Sequence, residues 1–288
     1  MIPTSSDIDQ TCNHPTEDLS DRLFCRVINL DSFTDRLANF HKNMEKTGLS
    51  IPRFSAVGGA SSPIPKGFCE ENAFHRLTGR KAARGEIGCY ASHIAVMRQF
   101  LDSGLPFALI FEDDFLPVDE FGSIVRKLLV MPGWDLVRFA SIREKTSLPC
   151  ATITGKYRLC VTVTGFTVTA GYMINRRGAE RLLKKLIPMC LPYDLALHTG
   201  WPGVREFTVC PEPCLRDPYN SPPSTIVHNS RYDSILGFYW WTGRLYRLAS
   251  RLRRYPLQIA RYLKIILSHE KFIAAPGQNS SCVKKGLR

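Results

Sequence analysis

Residues 107–114, FALIFEDD, constrain the fold more than any other stretch of this chain. The apolar part, FALIF, shows no polar alternation, which is typical of a strand buried on both faces. The run stops at three consecutive carboxylates, Glu112, Asp113 and Asp114. Strands of this kind occur in sheets that are covered by helices on both sides, so the stretch predicts an α/β fold.

The three carboxylates also predict a ligand site. Ligands bind at the carboxyl ends of the strands in open α/β sheets, and adjacent acids there repel one another unless a cation lies among them. Oxygen ligands suit a hard divalent ion such as Mg²⁺ or Mn²⁺, which is most useful when it carries a phosphate-bearing substrate. The alternative is that the acids only end the strand and cap a helix, since Pro117 and a helical pattern over 118–130 follow.

The clearest helix is predicted from Gly85 to Gly104. Its apolar residues recur at three- and four-residue spacing and predict one core-facing side: Ile87, Tyr90, Ile94, Met97 and Leu101. Glu86 lies in the first turn, where the helix dipole favours an acid. His93 lies beside the apolar stripe, as either a packed core residue or a ligand-facing one. This helix and the strand after it form half of a βαβ unit.

Other elements are predicted around this unit. Strands are expected at 23–30, 52–57, 134–140 and 207–210 and in pieces over 161–174, and helices at 36–47 and 176–186. The Gly-, Ser- and Pro-rich loop 58–67 is either a plain connection or a flap near the ligand. Asp194 lies on a short loop after the helix at 176–186, where it either faces a pocket or caps the next helix.

The two ends of the chain differ in character. Residues 1–20 are polar and acidic, have no apolar core and predict a disordered lead rather than a signal peptide. Residues 237–272 carry leucines and isoleucines at helical spacing, interrupted at Pro256, opposite a face of arginines and lysines. This pattern predicts basic amphipathic helices attracted to anionic lipid, or else a solvated helix packed on the domain. Residues 274–288 are expected to be a disordered tail.

Charge and cysteine content indicate the kinds of partner and the redox compartment of the protein. The net charge of +12 favours partners that carry phosphates: nucleotides, nucleic acids or anionic lipids. The chain contains no run of about 18 apolar residues, so no membrane-spanning helix is predicted. The 10 cysteines form no CxxC pair, and Cys25, Cys89 and Cys160 lie in apolar runs where a thiol behaves as a small hydrophobe. We therefore expect a reducing compartment.

Four blocks of sequence resemble glycosyltransferase family 25, the lipooligosaccharide-type galactosyltransferases that include collagen glycosyltransferases. In chain order they are VINLDSFTDR (27–36), GEIGCYASH (85–93), ALIFEDD (108–114) and GYMINRRGAERLL (171–183). The pair of GEIGC…SH with EDD about 20 residues later is the most specific of these signals. The resemblance covers roughly residues 22–230 and leaves the basic C-terminal segment outside.

The resemblance implies a GT-A fold, with a Rossmann-like mixed sheet and flanking helices over 22–232, a nucleotide-sugar donor and a divalent metal. It places at the nucleotide end Asn29, Asp31 and Arg36. It assigns to the donor pocket Gly85, Glu86, Gly88, Ser92 and His93. Asp114, with Glu112 or Asp113, would hold the metal, and His228 is a candidate third ligand. Asp113 is also assigned to the catalytic set. The candidate base of an inverting transfer is Asp194, which is chosen from its position as the one acid in a loop after the second βα unit.

The function implied is metal-assisted transfer of a hexose, galactose by default, from a UDP-sugar to a lipid-linked or lipopolysaccharide-type glycan. Mn²⁺ or Mg²⁺ would be the cofactor, and the location would be cytoplasmic, peripheral at the inner face of the membrane. One alternative is another nucleotide-dependent α/β transferase, although GxxxxGK[ST] and GxGxxG motifs are absent. The other is a non-catalytic basic protein that binds anionic membrane or nucleic acid. Nucleic acid is not expected as a partner of the enzyme.

Overall fold

A mixed sheet of eight strands forms the centre of the protein. The computed structural model describes residues 19–58, 63–140, 146–164, 169–215 and 237–267. Within them the strands are β1 (Leu23–Asn29), β2 (Arg53–Ser55), β3 (Phe107–Glu112), β4 (Leu116–Pro117), β5 (Leu136–Arg138), β6 (Ser147–Thr154), β7 (Tyr157–Thr162), β8 (Gly171–Asn175), β9 (Glu206–Cys210) and β10 (Cys214–Leu215). The helices are α1 (Thr34–Met44), α2 (Glu71–Thr78), α3 (Arg84–Asp102), α4 (Phe121–Val130), α5 (Arg176–Leu186), α6 (Tyr193–Leu197) and α7 (Gly237–Leu267).

The strand order of the large sheet is β2-β1-β3-β8-β5-β9-β7-β6. Strands β2, β1 and β3 run parallel, as do β5 and β9. Strand β8 lies antiparallel between β3 and β5, and the β6–β7 hairpin extends the sheet antiparallel to β9. The predicted α/β fold with a mixed sheet and flanking helices is therefore confirmed.

Helices cover both faces of the sheet, and β3 shows why its sequence has no polar alternation. Leu109 and Phe111 point into one core cluster with residues of α1 and α4, whereas Ala108 and Ile110 point into a second cluster with residues of α3 and α5. All four side chains are fully buried. Burial of a Leu, Ile or Phe side chain contributes about 1.5–3 kcal/mol each, so this strand anchors both layers.

Several element boundaries differ from the prediction. The helix expected from residue 118 begins at Phe121, because Leu116 and Pro117 pair with β10 instead. Asp194 lies in the first turn of α6 rather than on a loop. Helix α2 and strand β6 were not predicted at all. A short 3₁₀ turn, Glu45–Thr47, continues α1 to Gly48, whose left-handed backbone ends the helix as expected.

Helix α7 is continuous, so the predicted interruption at Pro256 is wrong. A proline costs its helix one backbone hydrogen bond, but side chains on both sides of it fasten α7 to the domain. Arg254 donates to the carbonyl of Val163 at 3.3 Å, and Arg261 donates to the carbonyl of Glu206 at 3.4 Å. None of the helices in the described part of the chain combines the length and apolar character needed to cross a bilayer.

The predicted ends lie mostly beyond the described residues. Of the lead expected over 1–20, residues 1–18 are outside them, while Leu19 packs against the core and its carbonyl accepts from the Leu23 amide at 2.9 Å. The end of the predicted 22–232 domain, including His228, also lies outside, as do residues 268–272 and the tail 274–288.

Candidate functional site

The predicted site residues of the first and third strands meet at one edge of the sheet. In the parallel pair β1–β3, Ile28 is opposite Glu112, so Asn29 lies beside the carboxylates. A cavity of about 410 Å³ opens there. The predicted residues that line it are Asn29, Arg36, Gly85, Gly88, Ser92, His93, Glu112, Asp113 and Asp114.

Asp113 is the most firmly held of the three acids. Its side chain accepts a hydrogen bond from Asn29 Nδ2 at 2.7 Å and forms an ion pair with Arg36. Asn29 is fixed in turn, because it donates to the Phe33 carbonyl and accepts from Arg53. Burial raises the pKa of Asp113, against the lowering effects of Asn29 and Arg36. Both oxygens of this carboxylate are thus engaged by the first βα unit.

The pKa values of Glu112 and Asp114 are shifted in opposite directions. Burial alone would raise the pKa of Glu112, but His93 and a hydrogen bond from Thr169 at 2.7 Å hold it below its ordinary value. Desolvation and the neighbouring charge of Glu112 raise the pKa of Asp114 to about 6. The Asp114 side chain is 46% exposed. The site therefore holds one firmly ionised carboxylate and a second, accessible one whose negative charge is disfavoured.

His93 is fully buried, and its ring is fixed from two sides. The imidazole stacks on the Tyr193 ring with centroids 4.1 Å apart and planes 6° apart. Nδ1 lies 3.1 Å from the Tyr172 hydroxyl, and Nε2 lies 3.4 Å from Glu112 Oε1. His93 is therefore both a packed core residue and a lining residue of the cavity, so the two readings of its pattern are compatible.

Helix α3 is in close contact with the loop that follows β2. A Cβ atom at Gly88 would lie 2.7 Å from the Val57 carbonyl oxygen, which explains why a glycine is required there. One turn later, Ser92 Oγ accepts from the Val57 amide at 2.8 Å and donates to the Gly88 carbonyl at 2.7 Å. Together these residues hold Val57 and Gly58 as one wall of the cavity.

Three of the predicted residues do not line this cavity. Glu86 caps α3 by accepting from the Ala83 amide and forms an ion pair with Arg80. Asp31 accepts hydrogen bonds from Arg53 and Ser55 beside β2. Asp194 accepts from the Leu195 amide at 2.8 Å within the first turn of α6, whose N-cap residue is Pro192, so it does not cap the helix.

Asp194 nevertheless lies close enough to the site to act on it electrostatically. Burial raises the pKa of Asp194, and the charge of Glu112 raises it further. The predicted third ligand, His228, lies outside the described residues.

Cys89 is a cavity-lining residue that the sequence analysis did not single out as a site residue. It was expected to act as a small core hydrophobe, but it lines the cavity on the same face of α3 as His93. Burial and the surrounding carboxylates, Glu112 first among them, hold the pKa of its thiol well above the ordinary value. The signal in the sequence was the four-residue spacing of Cys89 and His93, which puts both side chains on one helix face.

The supporting residues Thr169, Tyr172 and Tyr193 were also missed by the sequence analysis. Thr169 is 57 positions from Glu112, Tyr172 is 79 positions from His93, and Tyr193 is 21 positions beyond Tyr172, so no local pattern links them to the site.

The fold and the site together define an α/β protein with a carboxylate-lined cavity at the carboxyl ends of its parallel strands. The family model described as "Glycosyltransferase family 25 (LPS biosynthesis protein)" matches residues 24–197. The chain belongs to glycosyltransferase family 25, which confirms the resemblance seen in the four sequence blocks. The matched region contains every predicted site residue except His228.

Curated relatives match parts of the chain. Procollagen galactosyltransferase 1-A of Xenopus laevis is 32% identical over 123 residues, which cover 40% of this chain and 20% of the relative. A glycosyltransferase 25 family member of Aedes aegypti is 27% identical over 188 residues, covering 57% of this chain and 29% of the relative. The chain thus spans between a fifth and three tenths of the length of these relatives.

A solved structure with some likeness is that of a glycosyltransferase involved in the glycosylation of the major capsid of PBCV-1. It has 10% sequence identity and a TM-score of 0.37, and the match covers 65% of this chain and 80% of that one. This likeness is too low to support any conclusion about the site.

Proposed function

We propose that this chain transfers a hexose from a UDP-sugar to a hydroxyl group of a glycan acceptor, with assistance from a divalent metal ion. The observation that carries the proposal is the cavity in which Glu112 and Asp114 face Arg36 at the ends of two parallel strands. Galactose is the default sugar, because relatives of this chain are named procollagen galactosyltransferases.

The carboxylates fit a hard divalent ion such as Mn²⁺ or Mg²⁺. The raised pKa of Asp114 results from desolvation and from Glu112, and a bound cation would relieve that repulsion. We assign Glu112 and Asp114 as ligands and leave His228 as a proposed third ligand. Asp113 is engaged by Asn29 and Arg36, so we propose that it orients the site rather than reacting. When bound, the ion would act as a Lewis acid on the departing diphosphate.

The chain's own residues would position the donor and handle the proton. Arg36 and Arg84 line the cavity and supply positive charge for the diphosphate. In an inverting transfer, a carboxylate on the acceptor side takes the hydroxyl proton while the bond from the anomeric carbon to the diphosphate oxygen breaks. We propose Asp194 for this role, since its raised pKa makes it a stronger base than an ordinary aspartate.

Helix α7 supports a lipid-linked or lipopolysaccharide-type acceptor at an anionic membrane surface. Its leucine and isoleucine stripe faces solvent, with exposures between 44% and 77%, whereas Arg254 and Gln258 face the domain. The exposed large apolar residues of the helix are Trp241, Leu245, Leu248, Leu252, Leu257, Ile259, Leu263, Ile266 and Leu267. Exposed arginines flank the stripe. We therefore propose peripheral binding at the inner, cytoplasmic face of a membrane.

The same helix favours one alternative: a non-catalytic protein that binds an anionic membrane. That reading requires salt-sensitive lipid binding without any metal-dependent nucleotide binding. It gives no reason for the carboxylates at the end of β3, whose mutual repulsion has a cost in a protein that binds no cation.

Asp114→Ala and Asp194→Asn test the proposed roles. Removal of an electrostatic stabiliser of the leaving group costs about 100-fold or more in turnover, so Asp114→Ala is expected to lose metal-dependent transfer. Asp194→Asn is expected to lower turnover and leave UDP affinity intact. Full transfer activity in Asp114→Ala contradicts the metal assignment, and loss of UDP binding in Asp194→Asn removes that residue from the base role.

A further inference from the structure

Cys89, His93 and Glu112 bring three different ligand types together at the wall of the cavity. One ligand atom from each, a thiol sulfur, an imidazole nitrogen and a carboxylate oxygen, lies within 4.8 Å of the other two. Cys89 and His93 are four residues apart on α3 and so share one face of the helix. Glu112 reaches the same point from the end of β3.

The spacing of two of the three ligand atoms matches a tetrahedral metal. Two ligand atoms that bind one tetrahedral zinc ion at about 2.0–2.1 Å lie about 3.4 Å apart. His93 Nε2 and Glu112 Oε1 are 3.4 Å apart. With a zinc–sulfur distance of about 2.3 Å, the thiol needs to lie about 3.6 Å from the nitrogen. The sulfur lies within 4.8 Å of the nitrogen, so a side-chain movement of at most about 1.2 Å brings it there.

Neighbouring residues already fix the orientations of His93 and Glu112, as a metal site requires. A histidine that binds a metal through one nitrogen donates the other N–H to a fixed acceptor. Here Nδ1 of His93 is beside the Tyr172 hydroxyl, and the ring is stacked on Tyr193, so Nε2 points at the cluster. Thr169 fixes the Glu112 carboxylate by donating to it at 2.7 Å.

These ligand types favour a softer metal ion than the Mn²⁺ or Mg²⁺ proposed for the UDP-sugar site. Thiolate and imidazole suit Zn²⁺ or Co²⁺, whereas Mg²⁺ and Mn²⁺ prefer oxygen ligands. We propose that Cys89, His93 and Glu112 form a zinc-class site with its open fourth position facing the cavity. A thiolate and a carboxylate together balance the charge of the divalent ion.

This site would regulate the donor pocket because Glu112 belongs to both. A zinc ion held by Cys89 and His93 takes Glu112 away from the hard ion and occupies the cavity wall. Zinc is therefore expected to compete with Mn²⁺-dependent binding of UDP. Only this consequence rests on the proposed function; the metal site itself does not.

Cobalt titration of the metal-free, full-length protein tests the site directly. Co²⁺ bound by a thiolate gives a charge-transfer absorption band in the near ultraviolet, and Zn²⁺ is expected to abolish it by displacement. Cys89→Ser and Cys89→Ala are both expected to lose the band. Cys190→Ser is the control, because Cys190 is a partly exposed thiol that does not line this cavity. Circular dichroism verifies that each variant is folded.

The band is expected in the wild type and in Cys190→Ser, and His93→Gln is expected to weaken Co²⁺ binding by tenfold or more. Absence of the band in the wild type, or its persistence in both folded Cys89 variants, overturns the proposal. Calorimetry of UDP with Mn²⁺ on the wild type separates the two proposals. A cobalt–thiolate band without UDP binding refutes only the donor function, and UDP binding without the band refutes only the zinc site.

Discussion

The substitution Gly88→Ala tests whether the contact between α3 and the loop after β2 shapes the cavity. The new Cβ would lie 2.7 Å from the Val57 carbonyl oxygen, whereas an ordinary contact begins at 3.4 Å. The loop would therefore have to retreat by about 0.7 Å. It cannot do so freely, because the Val57 amide is bonded to Ser92 Oγ at 2.8 Å.

Two opposing effects set the magnitude for stability. Overpacking of this kind costs about 1–3 kcal/mol, whereas replacing a helical glycine with alanine gains about 1 kcal/mol in helix propensity. We expect a net loss of about 0–2 kcal/mol in the free energy of unfolding. The larger effect is expected on UDP affinity and transfer, because a displacement near 1 Å at a site can cost about 100-fold in rate.

Chemical denaturation measures the stability of Gly88→Ala, and calorimetry with Mn²⁺ measures its UDP affinity. Ser92→Ala is the matched control, because it removes the hydrogen bond to Val57 without adding an atom that pushes the loop away. We expect it to reduce UDP affinity less than Gly88→Ala does. A Gly88→Ala protein that is more stable by about 1 kcal/mol and binds UDP normally would refute the close-contact reasoning.

Three further predictions concern other parts of the molecule. Burial lowers the pKa of His198 from 6.5 to about 4, so the unfolded state binds the extra proton between these values and stability is lost as the pH falls through this window. The free energy of unfolding should drop by up to about 1.4 kcal/mol per pH unit there, and His198→Asn should flatten that slope in denaturation curves; equal slopes contradict the assignment. Leu248→Gln combined with Leu252→Gln should weaken sedimentation with anionic vesicles by about tenfold or more, because each buried leucine contributes about 1.5–3 kcal/mol; unchanged binding argues against the membrane-facing stripe. Gly178→Ala should destabilise the protein by about 1–3 kcal/mol in thermal denaturation, since its Cβ would lie 2.5 Å from the Asp135 carbonyl oxygen; an unchanged melting temperature contradicts this.

The parts of the fold that could be predicted are those in which local pattern and burial agree. Strand β3 is buried on both faces, so its sequence is uniformly apolar, and helix α5 begins and ends at the predicted residues, Arg176 and Leu186. Strand β6 lies at the sheet edge with most of its side chains only partly buried, and thus carries no strong pattern. Helix α7 passes through Pro256 because its contacts with the rest of the protein, which the sequence does not display, hold both halves in line.

The site residues likewise include some that the sequence could predict and some that it could not. The carboxylates and the Gly88–Ser92 turn could be placed from their motifs, because the register of β1 and β3 brings them to one edge. The partners that determine their chemistry could not be placed, since Thr169 and Tyr172 come from distant segments. Glu86 illustrates the converse: its motif indicates the pocket, but an arginine six residues earlier takes up its charge.

Titration of UDP into the purified full-length protein, with Mn²⁺ and with EDTA, tests the central claim most directly. The account predicts that UDP binds with Mn²⁺, that chelation abolishes the binding, and that Asp114→Ala reduces it even with Mn²⁺ present. UDP binding that is equally strong in EDTA would contradict the role given to the carboxylates at the end of β3. A complete absence of binding in both conditions would contradict the donor site itself and leave the membrane-binding alternative in its place.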